Sequence, residues 1–123
     1  MKGNISIYMC YKENSVFLKE ENRDGYIVSA LMKKVWAVEL DLLSELDRVC
    51  KKYNIKYYAA FGTLLGAVRN KGFIPWDDDI DVCMLRDDYA KFKEVAKNEF
   101  GGKYYYQDWY NSCGRTWIFS KLR

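Results

Sequence analysis

The residues best able to do chemistry in this chain form a run of acids: Asp77, Asp78, Asp79 and Asp81, with Asp87 and Asp88 close behind. Six of the seventeen acids thus fall within residues 77–88, although the net charge is +3, so the acids mark a local feature and not an acidic protein. Residues 79–84 alternate in character. An extended backbone would send Asp79, Asp81 and Cys83 to one side and Ile80, Val82 and Met84 to the other. Carboxylates two residues apart on a strand start about 6.6 Å apart at Cα and can converge on one ion. At about 4 Å they repel by roughly 4 kcal/mol at an effective dielectric near 20. A hard cation offsets that repulsion, and Mg²⁺ is commonly held by one or two carboxylates plus substrate phosphates. Asp79 and Asp81 are therefore the expected metal ligands (Mg²⁺ or Mn²⁺) and catalytic residues. Asp77 is a third ligand or an orienting group, and Asp78 is expected to face away. The competing reading is a solvated acidic turn.

A second candidate lies at Gly62 and Thr63, where a predicted strand meets a predicted helix. Glycine lets backbone amides approach a phosphate, and the start of a helix adds partial positive charge. A plain turn explains the glycine equally well. Arg69 and Lys71, between this junction and the acids, could neutralise a pyrophosphate, Arg69 in bidentate fashion, or could simply be solvated. Trp76, Tyr57 and Tyr58 could stack on a base or enclose a quaternary ammonium, or belong to a core.

Composition narrows the chemistry further. The chain has 123 residues and no histidine, which removes Ser-His-Asp and Cys-His catalysis, His-containing zinc sites and any imidazole base. Half the residues are apolar and 30% are charged, as in an ordinary folded domain. The charge excess is too small to suggest a nucleic-acid partner. Cys10, Cys50, Cys83 and Cys113 are widely spaced, which fits neither a zinc pattern nor a dense disulfide framework and suggests buried free thiols. No signal-like or membrane-spanning apolar run is present in the sequence. We therefore expect a cytoplasmic chain without a membrane span, leaving peripheral association with the inner face open.

The elements that must position these residues follow from periodicity. Residues 1–28 read as a lead-in with one short strand near residues 5–9. From Ser29, a possible cap, Leu31, Met32, Val35, Trp36, Leu42, Leu43, Leu46, Val49, Cys50 and Tyr53 recur at helical spacing, and Asn54 is a stop. Residues 55–61 read as a strand ending at Gly62, and residues 63–68 as a short helix. Pro75 holds residues 73–76 extended, and the acidic strand follows. Asp87 or Asp88 would cap a helix carrying Tyr89, Phe92, Val95, Ala96 and Phe100, ended by Gly101 and Gly102. Two strands near residues 104–109 and 116–122 close the order. The expected class is α/β or α+β, one domain over residues 29–123, incomplete at its C-terminal side.

The stretch FGTLLGAVRNKGFIPWDDDIDV, residues 61–82, strongly resembles the signature of the LicD family, which includes bacterial phosphocholine transferases and the fukutin-type ribitol-phosphate transferases. The likeness extends upstream through residues 43–57 and downstream to Met84, Arg86, Asp88, Tyr89 and Phe92. The resemblance implies a nucleotidyltransferase-like fold, a mixed sheet with flanking helices. It implies Gly62 and Thr63 at the phosphates and Asp79 and Asp81 on the metal. It also implies transfer of a phospho-alcohol, phosphocholine or a phospho-polyol, from a CDP-activated donor to a sugar hydroxyl of a cell-surface glycan such as lipopolysaccharide or teichoic acid, leaving CMP. Two positions depart from the pattern. Many relatives carry histidine where this chain has Asn70. The wider group places a third carboxylate on a later strand, for which the choices are Asp108 or a residue beyond Arg123. A non-catalytic nucleotide-binding or protein-interaction module is the alternative.

Overall fold

The computed structural model describes residues 15–111 and 119–123. Cys10, Cys113 and the strand expected near residues 5–9 lie outside the described residues, as does most of the strand expected over residues 116–122. The described chain is α+β, built from three helices and three two-stranded antiparallel pairs. The strands are β1 (Glu21–Arg23), β2 (Tyr26–Val28), β3 (Tyr58–Ala59), β4 (Val82–Cys83), β5 (Tyr106–Gln107) and β6 (Lys121–Leu122). They pair β1 with β2, β3 with β4 and β5 with β6. The α+β class matches the expectation, and among the described residues the strands form short separate ladders. Each strand is only two or three residues long.

Helix α1 (Ala30–Lys52) is the longest element, about 35 Å at 1.5 Å per residue. Ser29 caps it as expected, its hydroxyl accepting from Met32 N–H at 3.1 Å. At the other end Asn54 takes a positive φ of 52° and Ile55 N–H reaches back to the Cys50 carbonyl at 2.8 Å, the left-handed stop expected of asparagine. The buried side chains of α1 fall into two groups, Lys33 and Trp36 near its start and Leu46, Val49 and Cys50 near its end.

The C-terminal group belongs to the core. Leu46, Val49 and Cys50 pack with Ile55, Phe92, Ala96, Phe100 and Tyr106, and Val82 and Met84 pack against that cluster. Phe92, Phe100 and Tyr106 form a ring-to-ring triangle with centroids 5.7–6.2 Å apart. Burial pushes the Cys50 thiol up to about 11, which keeps it protonated. Cys83, expected to be buried, is exposed, because β4 turns its Val82 side to the core.

Helix α2 (Phe61–Arg69) starts two residues earlier than its periodicity suggested. Phe61 enters it with a positive φ of 46°, an uncommon conformation for a bulky residue, so the chain leaves β3 through a sharp bend. Gly66 is buried on the inner face of α2, while Phe61, Leu64, Leu65 and Val68 are 46–77% exposed along the outer face. Helix α3 (Arg86–Glu99) begins at Leu85, with no side-chain cap. Asp87 and Asp88 lie inside its first turn instead of capping it, where they still complement the helix dipole. The Asp88 carboxylate also accepts from Lys56 N–H at 3.2 Å.

Glu99 ties the end of α3 to α1. Its carboxylate accepts from Lys52 at 2.7 Å, Tyr53 at 2.6 Å and Arg48 at 3.3 Å. These donors, Lys52 foremost and then Tyr53, hold the Glu99 carboxyl down to about 2 against an ordinary 4.5. A lowered carboxyl pKa contributes stability that is complete above the ordinary value and is lost as pH falls towards the folded-state value. Thermal melts between pH 4.5 and 2 should therefore show a steeper acid loss for the unsubstituted protein than for Glu99→Gln.

Candidate functional site

The acidic loop is held mainly by its backbone. Trp36, fully buried on α1, donates its indole N–H to the Asp77 carbonyl at 2.7 Å. The same indole stacks on Phe73 at 4.7 Å with planes 6° apart, and the Arg23 guanidinium lies 5.0 Å from its ring centre. Asp77 N–H closes a turn to the Ile74 carbonyl at 2.9 Å. Pro75 and Trp76 occupy that turn and do not form the extended run expected of them. Beyond the loop, Asp81 N–H donates to the Thr63 hydroxyl at 2.8 Å, and the Asp81 carbonyl accepts from Ala60 N–H at 3.0 Å. These bonds continue the β3–β4 pairing, in which Tyr58 faces Cys83 and Ala59 faces Val82.

The carboxylates converge above the start of α2. Asp77, Asp78 and Asp79 each offer an oxygen, and the three atoms lie within 4.8 Å of one another. Asp77 is half-buried, and Asp78 and Asp79 are exposed. Asp78, expected to face away, joins the group because residues 77–80 are irregular and the strand begins only at Val82. The alternation argument therefore does not apply at Asp79. Asp81 lies outside the three-carboxylate group but feels it. Burial and then the Asp79 charge raise its carboxyl pKa. Asp77 is raised by burial, then by Asp79, Asp78 and Asp81.

One acid escaped the sequence reading. Glu39, on α1 three residues after Trp36, is raised by burial and then by Asp79, with an opposing hydrogen bond from the Ile80 backbone. Its side chain therefore borders the same loop. The only clue available in the sequence is its spacing from Trp36, which places both on one face of a helix, and that clue needs the contact between Trp36 and the loop to be known.

Gly62 and Thr63 meet the acids directly. A Cβ built on Gly62 would stand 2.6 Å from Asp77 Oδ2, so any side chain there would displace the carboxylate. Gly66, one turn on, is packed against backbone. A Cβ there would stand 2.5 Å from the Gly72 carbonyl, and its own carbonyl accepts from Asn70 N–H at 2.8 Å and Gly72 N–H at 3.3 Å.

Arg69 and Lys71 sit elsewhere. They lie at the far end of α2, and at helical rise Arg69 is about 10 Å along the axis from Gly62. Arg69 Nε donates to the Asn70 side chain at 3.0 Å and Lys71 Nζ to the Val68 carbonyl at 3.0 Å. Asn70 in turn donates to Asp24 in the β1–β2 turn at 3.4 Å, so it fastens the hairpin to α2. Tyr57 donates to Asp47 at 2.9 Å, Tyr58 is exposed in β3, and Asp108 is buried, accepting from Tyr110 and Asn111 N–H in the turn that follows it.

Comparison with known proteins places the part of the chain that carries this helix and acidic loop in a nucleotidyltransferase domain class. Residues 54–122 match the family described as LicD/FKTN/FKRP, nucleotidyltransferase domain, and the chain belongs to that family. It is 54% identical over 56 residues, 46% of this chain and 21% of the relative, to the lipopolysaccharide cholinephosphotransferase LicD of Haemophilus influenzae. It is also 34% identical over 103 residues, 82% of this chain, to an uncharacterized protein of Rickettsia prowazekii, of which 38% is covered. An uncharacterized protein of Rickettsia typhi is 36% identical over 75 residues, which is 59% of this chain and 24% of that protein. The chain thus spans between about a fifth and two fifths of the curated relatives it matches. No solved structure matches it.

The two inner glycines should respond differently to alanine. Gly66→Ala presses on backbone and is expected to cost about 1–3 kcal/mol in chemical denaturation, the usual range for overpacking. Gly62→Ala meets only the end of a movable side chain and should leave stability nearly unchanged while moving Asp77. Trp36→Phe, which keeps an aromatic ring but loses the bond to the Asp77 carbonyl and leaves a cavity in a fully buried site, should cost at least about 1–3 kcal/mol in the same assay.

Proposed function

We propose that this domain transfers a phospho-alcohol, phosphocholine or a phospho-polyol, from a CDP-activated donor to a sugar hydroxyl of a cell-surface glycan, using a divalent cation at the acidic loop. The observation that carries the reading is the seating of the Asp77 carboxylate against Gly62, which joins the helix start to the acids in one small region. Family membership and the lipopolysaccharide cholinephosphotransferase relative support the reaction class. The reading assigns the reaction to the cytoplasmic side of the membrane. Among the described residues no helix is long and apolar enough to cross a membrane.

The donor set suits a hard cation. Three carboxylate oxygens within 4.8 Å of one another are the ligand type that Mg²⁺ and Mn²⁺ prefer; the carboxyls of Asp77 and Asp81 are raised first by burial and then by neighbouring carboxylates, and a cation would relieve the second of these. We assign Asp77 and Asp79 of that group as its ligands, with Asp78 available beside them, and Asp81, which lies outside the group but is influenced by the Asp79 charge, as a further ligand. When bound, the cation would neutralise charge on the donor phosphates and on the departing nucleotide.

The chain's own residues then orient the reactants. Gly62 and Thr63 follow Phe61 in the first turn of α2, whose N-terminal cap Ala60 makes no side-chain bond, so backbone N–H groups and the helix dipole are available to a donor phosphate. Thr63 also fixes Asp81 through the Asp81 N–H. Glu39 stands at the loop as a carboxylate of raised pKa, suited to accept the proton of the sugar hydroxyl. Arg69 and Lys71, remote from Gly62 along α2, are assigned to the outer part of the donor or acceptor.

Calorimetric titration of CDP-choline in the presence of Mg²⁺, paired with an assay of CMP release, tests the reading. Asp79→Ala and Asp81→Ala should each weaken Mg²⁺-dependent binding by at least about tenfold, a loss of one charge-assisted ligand. Unchanged binding in both variants would remove the cation from this loop. Because protons compete for raised carboxyls, cation affinity should begin to fall at a pH above the ordinary aspartate value of 3.8.

A further inference from the structure

We propose that Tyr26 and Trp76 form a subsite for a quaternary ammonium beside the acidic loop. The inference rests on the phospho-alcohol reading and narrows it, since of the two candidate groups only phosphocholine carries such a cation.

The two rings come from distant parts of the chain and meet edge to face, with centroids 5.6 Å apart and planes at 65°. Both remain open to solvent, Tyr26 at 43% and Trp76 at 59% exposure. An edge-on contact covers only part of the two rings, and their exposure leaves aromatic surface open to a ligand. Trp76 directly precedes Asp77, Asp78 and Asp79, of which the last two are exposed. Aromatic faces beside carboxylates make an environment of negative potential. A cation that cannot donate hydrogen bonds is best served by such an environment, because ring faces attract it without demanding the directional bonds a primary ammonium makes.

The chemistry of the donor fits the spacing. In phosphocholine one oxygen and two carbons separate phosphorus from nitrogen. A donor phosphate joined to Asp77 and Asp79 through the proposed cation would therefore hold its trimethylammonium group only a few bonds away, and Trp76 is the residue next to Asp77 in the chain. A neutral polyol in the same place would gain nothing from the rings.

The pair does not follow from the family match alone. Trp76 lies within residues 54–122, but Tyr26 does not. Tyr26 is set in place by β2, where it faces Arg23 across the β1–β2 pair, and the hairpin is fastened to α2 by the bond from Asn70 to Asp24. Arg23, the cross-strand partner of Tyr26, is ion-paired to Glu21 at 2.6 Å and lies over the Trp36 ring, which offsets its charge towards a cation bound there.

The test compares CDP-choline with CDP-glycerol, whose alcohol is neutral, by calorimetry in Mg²⁺ with the whole chain. Trp76→Ala and Tyr26→Ala should each weaken CDP-choline roughly tenfold, within the range of cation–π contacts, and CDP-glycerol by less than about twofold. Trp76→Phe should fall between. Both side chains are exposed, and melting temperatures within about 2 °C of the unsubstituted protein would confirm that folding is intact. Equal losses for the two donors, or no loss for CDP-choline, would overturn the subsite and leave phospho-alcohol transfer standing. Equal affinity of the unsubstituted chain for the two donors would do the same. Binding of neither donor would overturn the phospho-alcohol reading, and the subsite with it.

Discussion

A loop that gathers this many carboxylates must be held against its own repulsion without using those carboxylates as its fastenings. The chain meets that constraint by gripping carbonyls and amides. The indole of Trp36 takes the carbonyl of Asp77, the hydroxyl of Thr63 takes the amide of Asp81, and the amide of Ala60 takes the carbonyl of Asp81. Neutral hydrogen bonds of this kind contribute about 1 kcal/mol each, while one close carboxylate pair repels by several times that at a protein-surface dielectric. The loop is therefore stable only because it is also part of a packed structure. Phe73 stacks on Trp36, buried Ile74 and Pro75 precede the acids, and Val82 and Met84 follow them into the core.

This division gives α1 two tasks along one rod. Its C-terminal half supplies Leu46, Val49 and Cys50 to the core, where the aromatic triangle and the Glu99 network fix α3 against it. Its N-terminal half supplies Trp36 and Glu39 to the loop. Helix α2 is divided across its width instead. The inner face is reduced to Gly62 and Gly66 so that loop and helix can approach at backbone distance, and the outer face presents an apolar row to the surroundings.

Much of this was legible in the sequence, and the reasons differ by element. The long helix with its serine cap and asparagine stop is written in local rules, and Ser29 and Asn54 behave as those rules require. The acids and Gly62 were legible as chemistry because their types are unusual in such density. What could not be read were contacts between residues far apart in the chain. The bond between Trp36 and Asp77 spans 41 positions, and no local pattern announces it, so Glu39 went unnoticed and Asp78 was sent to the wrong side. The strands were overextended in the reading because β-branched and aromatic runs predict capacity to pair, whereas the observed ladders stop after two or three residues. Arg69 and Lys71 were placed between Gly62 and the acids by sequence position, whereas Asp77 folds back onto the start of α2 and these two stay at its far end.

The indole that anchors the loop has a further consequence, a spectroscopic one. Trp36 is sealed from solvent, stacked on a phenyl ring, flanked by a guanidinium and hydrogen-bonded to the first residue of the acidic run. Its emission energy is therefore set by a fixed dipole and by the local electric field, of which the neighbouring carboxylates are a principal source. Trp76 stands beside the same carboxylates but in water, and Trp109 is likewise exposed, so these two share the red side of the spectrum while Trp36 belongs to the blue. The charge state of the loop is thus written into the blue edge of the emission by a residue the protein already has.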